Sequence, residues 1–288
     1  MSTSVLFDVP GPAGRRRNRL IGLASVVILT ALAGYVIYRF AVTGQFSAQK
    51  WAIFQYVAIQ QLLLNGLINT LKAAALATVL ALVFGAVFAA GRLSDHAWVR
   101  GPAGLVVELF RAIPLLILIF LFYYGSRPLF GIALSPLWAL VFGLTLYNGS
   151  VLAEVFRAGV LAVPRGQSEA AYALGLRKTQ VMTLILLPQA LRSMLPSIVS
   201  QLVVLLKDTA LGFIITYEEL LFVAKQLGTQ VQFGSPFIPA AIVVAVIYVG
   251  ICMALSWFAG YLARHRPRKS AAPPTRPEEL ETSGAVAA

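Results

Sequence analysis

The sequence predicts an all-α integral membrane protein with about six transmembrane helices, and three observations support this prediction. Of the 288 residues, 59% are hydrophobic and only 12% are charged, whereas soluble domains carry about 25% charged residues. Apolar runs of roughly 20 residues recur along the chain, which matches the ~30 Å thickness of the hydrocarbon core of a bilayer. The alternating pattern of roughly ten residues that marks transmembrane strands does not recur, so the spans are expected to be helices.

Six apolar segments are long enough to be spans, and Pro114 is expected to kink the third of them. The predicted spans are residues 20–40, 66–91, 104–126, 136–158, 192–213 and 237–262. Around them we expect a basic tail at 1–19, a first span with an external segment at 20–61, a main domain at 62–263 and a disordered tail at 264–288. The 19-residue run Leu20–Tyr38 is long for a signal-peptide core and lacks a convincing cleavage site, so we expect it to be a retained span.

The basic residues predict the orientation of the chain. Sixteen of the 23 lysines and arginines lie in the two tails and in the loops on their side, four lie on the opposite side and three lie within spans. Positive loops face the cytoplasm. We therefore expect a multi-pass protein of the cell membrane with both termini in the cytoplasm, and we attribute the net charge of +12 to topology rather than to nucleic-acid binding.

The residue types needed for most catalytic and metal sites are scarce. Cys252 is the single cysteine, which excludes a disulfide or a cysteine-based metal site within one chain. His96 and His265 lie outside the predicted spans, so Ser150 has no histidine beside it that could form a nucleophilic pair at membrane depth. We therefore predict no catalytic residues, no metal ligands and no cofactor in this chain.

A polar stretch between the fourth and fifth predicted spans is unusual in such an apolar chain. Ser168 is a possible N-cap, which would place Glu169 in the first turn of a short helix. Gly175 is expected to end that helix, and a second helix is expected over 177–187, ending before Pro188. The small apolar face of Ala170, Ala171 and Leu174 favours docking to a partner; an interfacial helix is the alternative, but it usually carries stronger apolar anchors.

This stretch resembles the EAA signature of the permease subunits of bacterial ABC importers. Glu169-Ala170-Ala171, then Gly175, then Ile185-x-Leu187-Pro188 match its fixed positions. Further segments are similar to the polar amino acid subfamily: Glu108-x-x-Arg111-Ala-Ile-Pro114-Leu, Asn148-Gly149, Glu154-x-x-Arg157, Gly166-Gln167 and Lys207-Asp208-Thr209-Ala210-Leu211. Ala112, Ile113 and Ala210 depart from the pattern, which weakens the transfer of a particular substrate. The resemblance covers about 62–262, and the added N-terminal span resembles glutamate/aspartate-type members.

The resemblance implies a five-helix type I importer core with an extra N-terminal span and a coupling helix within about 165–180. The coupling residues would be Glu169, Ala170, Ala171, Leu174, Gly175 and Arg177. The implied partners are an ABC ATPase dimer, a second permease subunit (copy or paralogue), an extracytoplasmic amino-acid-binding protein and membrane lipid. The sequence has no GxxxxGK[ST] phosphate loop, so ATP and Mg would be bound by the partner ATPase.

Charged residues within spans are costly and are functional candidates by default. Glu108 with Arg111 and Glu154 with Arg157 have i,i+3 spacing at the cytoplasmic ends of two predicted spans. They are either structural ion pairs or an inner gate. Residues that could line a substrate path are Lys72, Asn148, Gln201, Lys207, Asp208 and Thr209.

Each of those path candidates has a structural alternative. Lys72 could extend to the outer interface, Asp208 could neutralise Lys207, and Asn148 and Gln201 could make hydrogen bonds between helices. If both lysines face the path, they favour an acidic amino acid, glutamate or aspartate. A self-sufficient secondary transporter or channel for a small polar solute is the alternative function; it would be expected to show internal repeats, and none is evident.

Overall fold

The computed structural model describes residues 11–264, and within that range every regular element is a helix. The eleven α-helices are Pro12–Val42 (α1), Ala48–Trp51 (α2), Val57–Arg92 (α3), Ala97–Ala112 (α4), Leu115–Phe130 (α5), Pro136–Leu161 (α6), Arg165–Ala173 (α7), Lys178–Gln180 (α8), Leu187–Asp208 (α9), Leu220–Gly228 (α10) and Phe237–Arg264 (α11). The predicted disordered tail 264–288 and the first ten residues lie outside the described range, apart from Arg264.

Five described helical stretches are long and apolar enough to cross a membrane, and six if the bent pair α4–α5 counts as one broken span. The all-α membrane fold predicted from composition is therefore confirmed. Pro114 does more than kink the third predicted span, because the helix stops at Ala112 and restarts at Leu115 with a change of direction of 95°. Proline lacks the amide hydrogen that would continue the helix, and it pushes the preceding residue toward an extended conformation.

Two helices are longer than their apolar runs. Helix α1 begins at Pro12 and includes the basic run that we expected in a tail. Proline is favoured in the first turn of a helix because its missing N–H would be unpaired there. Helix α3 begins at Val57 and so includes part of the segment predicted to be external.

The chain forms two compact units. Of the described residues, the first contains 11–80, 113–147 and 205–250, and the second contains 81–112, 148–204 and 251–264. In the first unit, α3 packs against α10, where a Cβ on Gly66 would lie 2.9 Å from a methyl group of Val223. In the second unit, α3 packs against α6, where a Cβ on Gly85 would lie 3.1 Å from the carbonyl oxygen of Gly149. Glycine permits both close helix contacts.

Candidate functional site

Helix α7 is the short polar helix expected after Pro164, but it begins differently from the prediction. It starts at Arg165, so Ser168 lies inside the helix and donates a hydrogen bond to the Arg165 carbonyl at 2.7 Å. The predicted N-cap at Ser168 is therefore wrong, and Glu169 lies beyond the first turn. Pro164 starts the helix instead, since its fixed φ of −54° suits the entry into a helix.

The end of α7 agrees with the prediction. Gly175 has a left-handed φ of +78°, and the Leu176 and Gly175 amides donate to the carbonyls of Ala171 (3.2 Å) and Tyr172 (2.9 Å). This pair of hydrogen bonds is the Schellman motif, in which glycine is favoured because the left-handed conformation is strained for other residues. The chain therefore turns sharply out of α7 at Gly175.

The side chains of α7 and its turn divide between an inner and an outer face. Ala171 is buried at 4% exposure, and α7 packs against the π-helical segment Val181–Leu186 that follows α8. Ala171 therefore faces this chain rather than an external partner. Leu174 is 82% exposed, and the remaining predicted coupling residues are exposed as well: Glu169, Ala170, Gly175 and Arg177.

The second helix of the stretch does not stop before Pro188, and that prediction is wrong. Residues Lys178–Ile215 form one continuous candidate span, with Pro188 near the start of α9. The π-helical turn Val181–Leu186 explains this, because a wider turn relieves the contact of the proline ring with the preceding turn and the loss of its N–H. Helix α7 therefore packs against the beginning of the continuous helical stretch that contains α9.

A small apolar cluster joins the ends of α6 and α9 beside α7. Val160, Ala190 and Met194 are buried together, and Met182 packs against them from the π-helical segment. The Gln189 amide nitrogen adds a polar link, since it donates to the Gln167 side chain at 3.3 Å. This packing holds α7, α6 and α9 together within the second unit.

The predicted charge pairs form one network, with a different partner for Glu108. The Arg157 Nε lies 3.1 Å from Glu154 Oε2, as the i,i+3 spacing predicts. Glu108 instead lies 3.5 Å from Arg92, which also approaches Glu154 at 3.1 Å. Among the described ion pairs none joins Glu108 to Arg111, so that predicted pair is not formed.

Arg92 is the centre of this network, and sequence reasoning placed it only in a loop. Its side chain is 15% exposed and touches carboxylates on two helices. The contact of its Nη1 with Glu154 is one of charge, because that nitrogen makes no hydrogen bond of good geometry. The sequence feature that could have identified Arg92 as a candidate is its position as the last residue of an apolar span, next to a short polar loop.

A second ion pair was not predicted. Asp95, in the loop between α3 and α4, pairs with Lys178 at the start of α8. The hydrogen bond from Lys178 and its positive charge lower the pKa of Asp95 below the ordinary value of 3.8. This contact ties the α3–α4 loop to the segment that follows the Gly175 turn.

The candidate substrate-path residues lie in both units, and the described structure brings two of them together. The Gln201 side chain donates to Asn148 Oδ1 at 2.7 Å, and Asn148 is fully buried. Lys72 and Lys207 are exposed, Asp208 is half-buried, and Thr209 is buried and donates to the Leu206 carbonyl at 2.6 Å. Asn148 and Gln201 therefore make the helix-to-helix hydrogen bond that was the alternative to a path role, and both lie within candidate spans.

Glu219 is a buried carboxylate between the fifth and sixth predicted spans, and it was not among the candidate residues predicted from sequence. Its side chain is fully buried and caps α10, accepting hydrogen bonds from the amides of Leu221 (2.8 Å) and Phe222 (2.7 Å). The Tyr248 hydroxyl donates to the same carboxylate at 2.7 Å. Burial raises the pKa of Glu219, and these hydrogen bonds oppose the rise. Its position directly before the apolar run of α10 was the signal for a cap.

Three comparisons with known proteins agree on a family. Residues 81–267 match the family model described as "Binding-protein-dependent transport system inner membrane component". The chain is 39% identical over 256 residues to the glutamate transport system permease protein GluD of Corynebacterium glutamicum, covering 84% of this chain and 92% of the relative. It is 35% identical to the probable glutamine ABC transporter permease protein GlnP of Bacillus subtilis (67% and 88% covered). It is 34% identical to the glutamate/aspartate import permease protein GltK of Escherichia coli (70% and 92% covered).

Solved structures of ABC transporters are also similar to this chain. The crystal structure of an amino acid ABC transporter with histidines matches with a TM-score of 0.66 at 29% identity, covering 74% of this chain and 97% of that chain. An inward-facing structure of the MetNI methionine ABC transporter matches with a TM-score of 0.64 at 22% identity, covering 74% and 100%. The second likeness supports the fold alone.

Proposed function

This chain belongs to the family of inner membrane components of binding-protein-dependent transport systems, as a permease of the ABC importers for polar amino acids, and we propose that α7 couples it to a partner ATPase. The observation that carries this proposal is the division of α7 into an inner face packed on its own chain and an outer face left exposed. Glu169, Ala170 and Leu174 form the outer face. A helix with one exposed face, and with its other face packed against the start of a span, suits the transfer of motion from a partner.

The proposed mechanism moves α7 and α9 as one piece. Closure of an ATPase dimer would draw the α7 helices of two permease subunits together. The Val160–Ala190–Met194 cluster and the continuous helix from Lys178 onward would carry that motion into the spans. ATP and Mg would be bound by the ATPase, the second permease subunit would complete the path, and an external binding protein would deliver the amino acid. Both termini of this chain would face the cytoplasm, in keeping with the basic bias.

Coupling is tested by matched substitutions in the α7 segment of the assembled transporter. Glu169→Lys reverses a charge on the exposed face, and Gly175→Ala strains the turn at φ +78° by on the order of 1 kcal/mol. Gly166→Ala is the control, since Gly166 also has no atom within 4 Å of an added Cβ but has no left-handed φ. We expect both test variants to reach the membrane at the normal level but to lose ATP-driven uptake, and the control to retain it. Normal uptake by Glu169→Lys at the normal protein level would refute the coupling proposal.

We further propose that the transported amino acid is acidic. The exposed cations Lys72 and Lys207 support this proposal, as do the names of the glutamate and glutamate/aspartate permeases above. The path proposal also includes Asn148, Gln201, Asp208 and Thr209. An added negative charge at the Asn148–Gln201 contact would repel an acidic solute more than a neutral one.

The acidic-solute proposal is tested with Gln201→Glu in the assembled transporter. We expect uptake of glutamate to fall about tenfold more than uptake of glutamine, since one like-charge contact at partial burial is worth about 1.4 kcal/mol or more. Ser200→Asp is the control, because Ser200 is an exposed neighbour on the same helix. Equal losses for glutamate and glutamine would contradict an acidic substrate without affecting the coupling proposal.

A further inference from the structure

A cavity in the second unit has the build of a lipid site rather than of a solute path. Its volume is about 660 Å³, within the ~300–1,000 Å³ range of ligand pockets. The depth of the cavity is apolar, with alanines of α3, Phe156 of α6 and Met194 of α9 among its walls. Its polar residues are gathered in the α3–α4 loop and in the first turns of the span that starts at Lys178.

The position of the polar residues fits a membrane boundary. Helix α3 ends at Arg92, and the candidate span Lys178–Ile215 begins at Lys178. The polar rim therefore lies at the ends of two spans, while the apolar walls lie along them.

The rim carries both signs of charge. Asp95 and Lys178 form an ion pair there, and their side chains remain 75% and 46% exposed. The hydroxyls of Ser94, Thr179 and Thr183 also line the cavity. Two opposite charges and several hydroxyls that line the same cavity are complementary to a zwitterionic headgroup: an ammonium for Asp95, and a phosphate for Lys178 and the hydroxyls.

We propose that this cavity binds one chain of a glycerophospholipid with an ammonium headgroup, phosphatidylethanolamine, from the adjoining leaflet. Its phosphate lies against Lys178, its ammonium lies against Asp95, and its acyl chain lies along the alanine face of α3. The site is separate from the Asn148–Gln201 contact and does not depend on which amino acid is transported. Because the same cavity adjoins Met182 and Met194, an occupied site would brace the packing behind α7.

The proposal is tested by photolabelling the complete transporter in nanodiscs. Phosphatidylethanolamine with a diazirine in its acyl chain is compared with the same probe built on phosphatidylglycerol, and labelled peptides are mapped by mass spectrometry. We expect adducts of the first probe to concentrate in 86–96 and 178–194. Even labelling of the exposed faces of α1 and α11, with no enrichment at the cavity, would overturn the proposal.

Cavity-filling variants separate the site from general lipid contact. Ala90→Phe places a ring in the cavity, whereas Val87→Phe adds similar bulk to the same helix at an exposed position outside it. We expect Ala90→Phe to lower cavity labelling about tenfold and Val87→Phe to leave it unchanged. Equal labelling of the two variants, or a cross-link showing a second permease chain in the cavity, would refute a lipid occupant.

Rim variants test the headgroup assignment. Asp95→Asn is expected to lower labelling by the ethanolamine probe about tenfold while sparing the glycerol probe, and Lys178→Gln is expected to lower both, since each removes a charge-assisted hydrogen bond. Should either variant fail to fold, competition on the unaltered transporter decides the same point. There, unlabelled phosphatidylethanolamine must displace the probe better than phosphatidylglycerol, and equal displacement contradicts the assignment.

Discussion

Replacing Glu154 by glutamine removes a carboxylate in the second half of α6 that contacts two arginines. Glu154 Oε2 lies 3.1 Å from both Arg92 Nη1 and Arg157 Nε, and the three side chains are 15–30% exposed. At ~4 Å and an effective dielectric constant near 20, each pair has a Coulomb energy of about 4 kcal/mol, whereas fully exposed pairs contribute about 0–1 kcal/mol. After the substitution, Arg92 still has Glu108 as an ion-pair partner at 3.5 Å, which reduces the loss. Partial exposure therefore places the net cost of Glu154→Gln at about 2 kcal/mol.

The thermal unfolding of the purified chain in nanodiscs, followed by helical circular dichroism, measures this cost. About 2 kcal/mol corresponds to a fall in Tm of roughly 4–8 °C for a chain of this size. Arg157→Gln should cost less, about 1 kcal/mol, because Glu154 retains Arg92. The double variant should lose about 1 kcal/mol less free energy of unfolding than the sum of the two single losses. This difference is the coupling energy between the two directly contacting charges.

Glu218→Gln is the control, since Glu218 is an exposed carboxylate with no ion pair to another described residue. A Tm of Glu154→Gln within about 1 °C of the parent, or strict additivity in the double variant, would refute a stabilising network. We expect uptake per folded molecule to be retained, because we assign the network a structural role. Loss of uptake at an unchanged Tm would instead assign it to an inner gate.

Two further changes test the first unit. The pKa of the Glu219 carboxyl is raised in the folded chain, so the folded chain binds this proton more tightly than the unfolded chain does. The resulting stabilisation is full below pH 4.5 and is lost as the pH rises through the folded-state pKa. Glu219→Gln should flatten this part of the curve of Tm against pH, and an unchanged slope would contradict the assignment. Gly228→Ala should destabilise by about 1–3 kcal/mol, since its Cβ would lie 2.9 Å from the Cα of Phe237. Gly250→Ala in α11, with no atom within 4 Å of its Cβ, should show no such loss in the same unfolding measurement.

Prediction from sequence succeeded where one local rule governs the chain. The Gly175 terminus depends on a left-handed conformation that glycine adopts without strain, and the Glu154–Arg157 pair depends only on the spacing of a helix. The break at Pro114 follows from the geometry of proline, although its 95° angle does not. The EAA-like pattern placed α7 in the chain, and the exact start of α7 was wrong because Pro164 and Ser168 are both acceptable first residues by local rules.

Prediction failed for features that depend on the wider structure rather than on a local rule. Pro188 lies inside a span because a π-helical turn precedes it, and such turns have no clear sequence signal. Glu108 pairs with Arg92 from another helix rather than with Arg111 on its own. Whether Glu219 is exposed or buried depends on α11, which brings the Tyr248 hydroxyl to it.

The sequence by itself determined that this chain is a helical membrane protein with about six spans, approximately where α7 lies and to which family the chain belongs. These features arise from apolar length, charge bias and short motifs, all of which are local along the chain. Only the tertiary structure decided which face of α7 is exposed, which two carboxylates contact Arg92, and that α3, α6 and α9 line a cavity with an ion pair on its wall. Those features depend on how the helices pack, and glycines such as Gly85 and Gly159 allow neighbouring helices to approach closely. The same pattern of apolar residues is compatible with several helix packings, so the pattern alone does not select one of them.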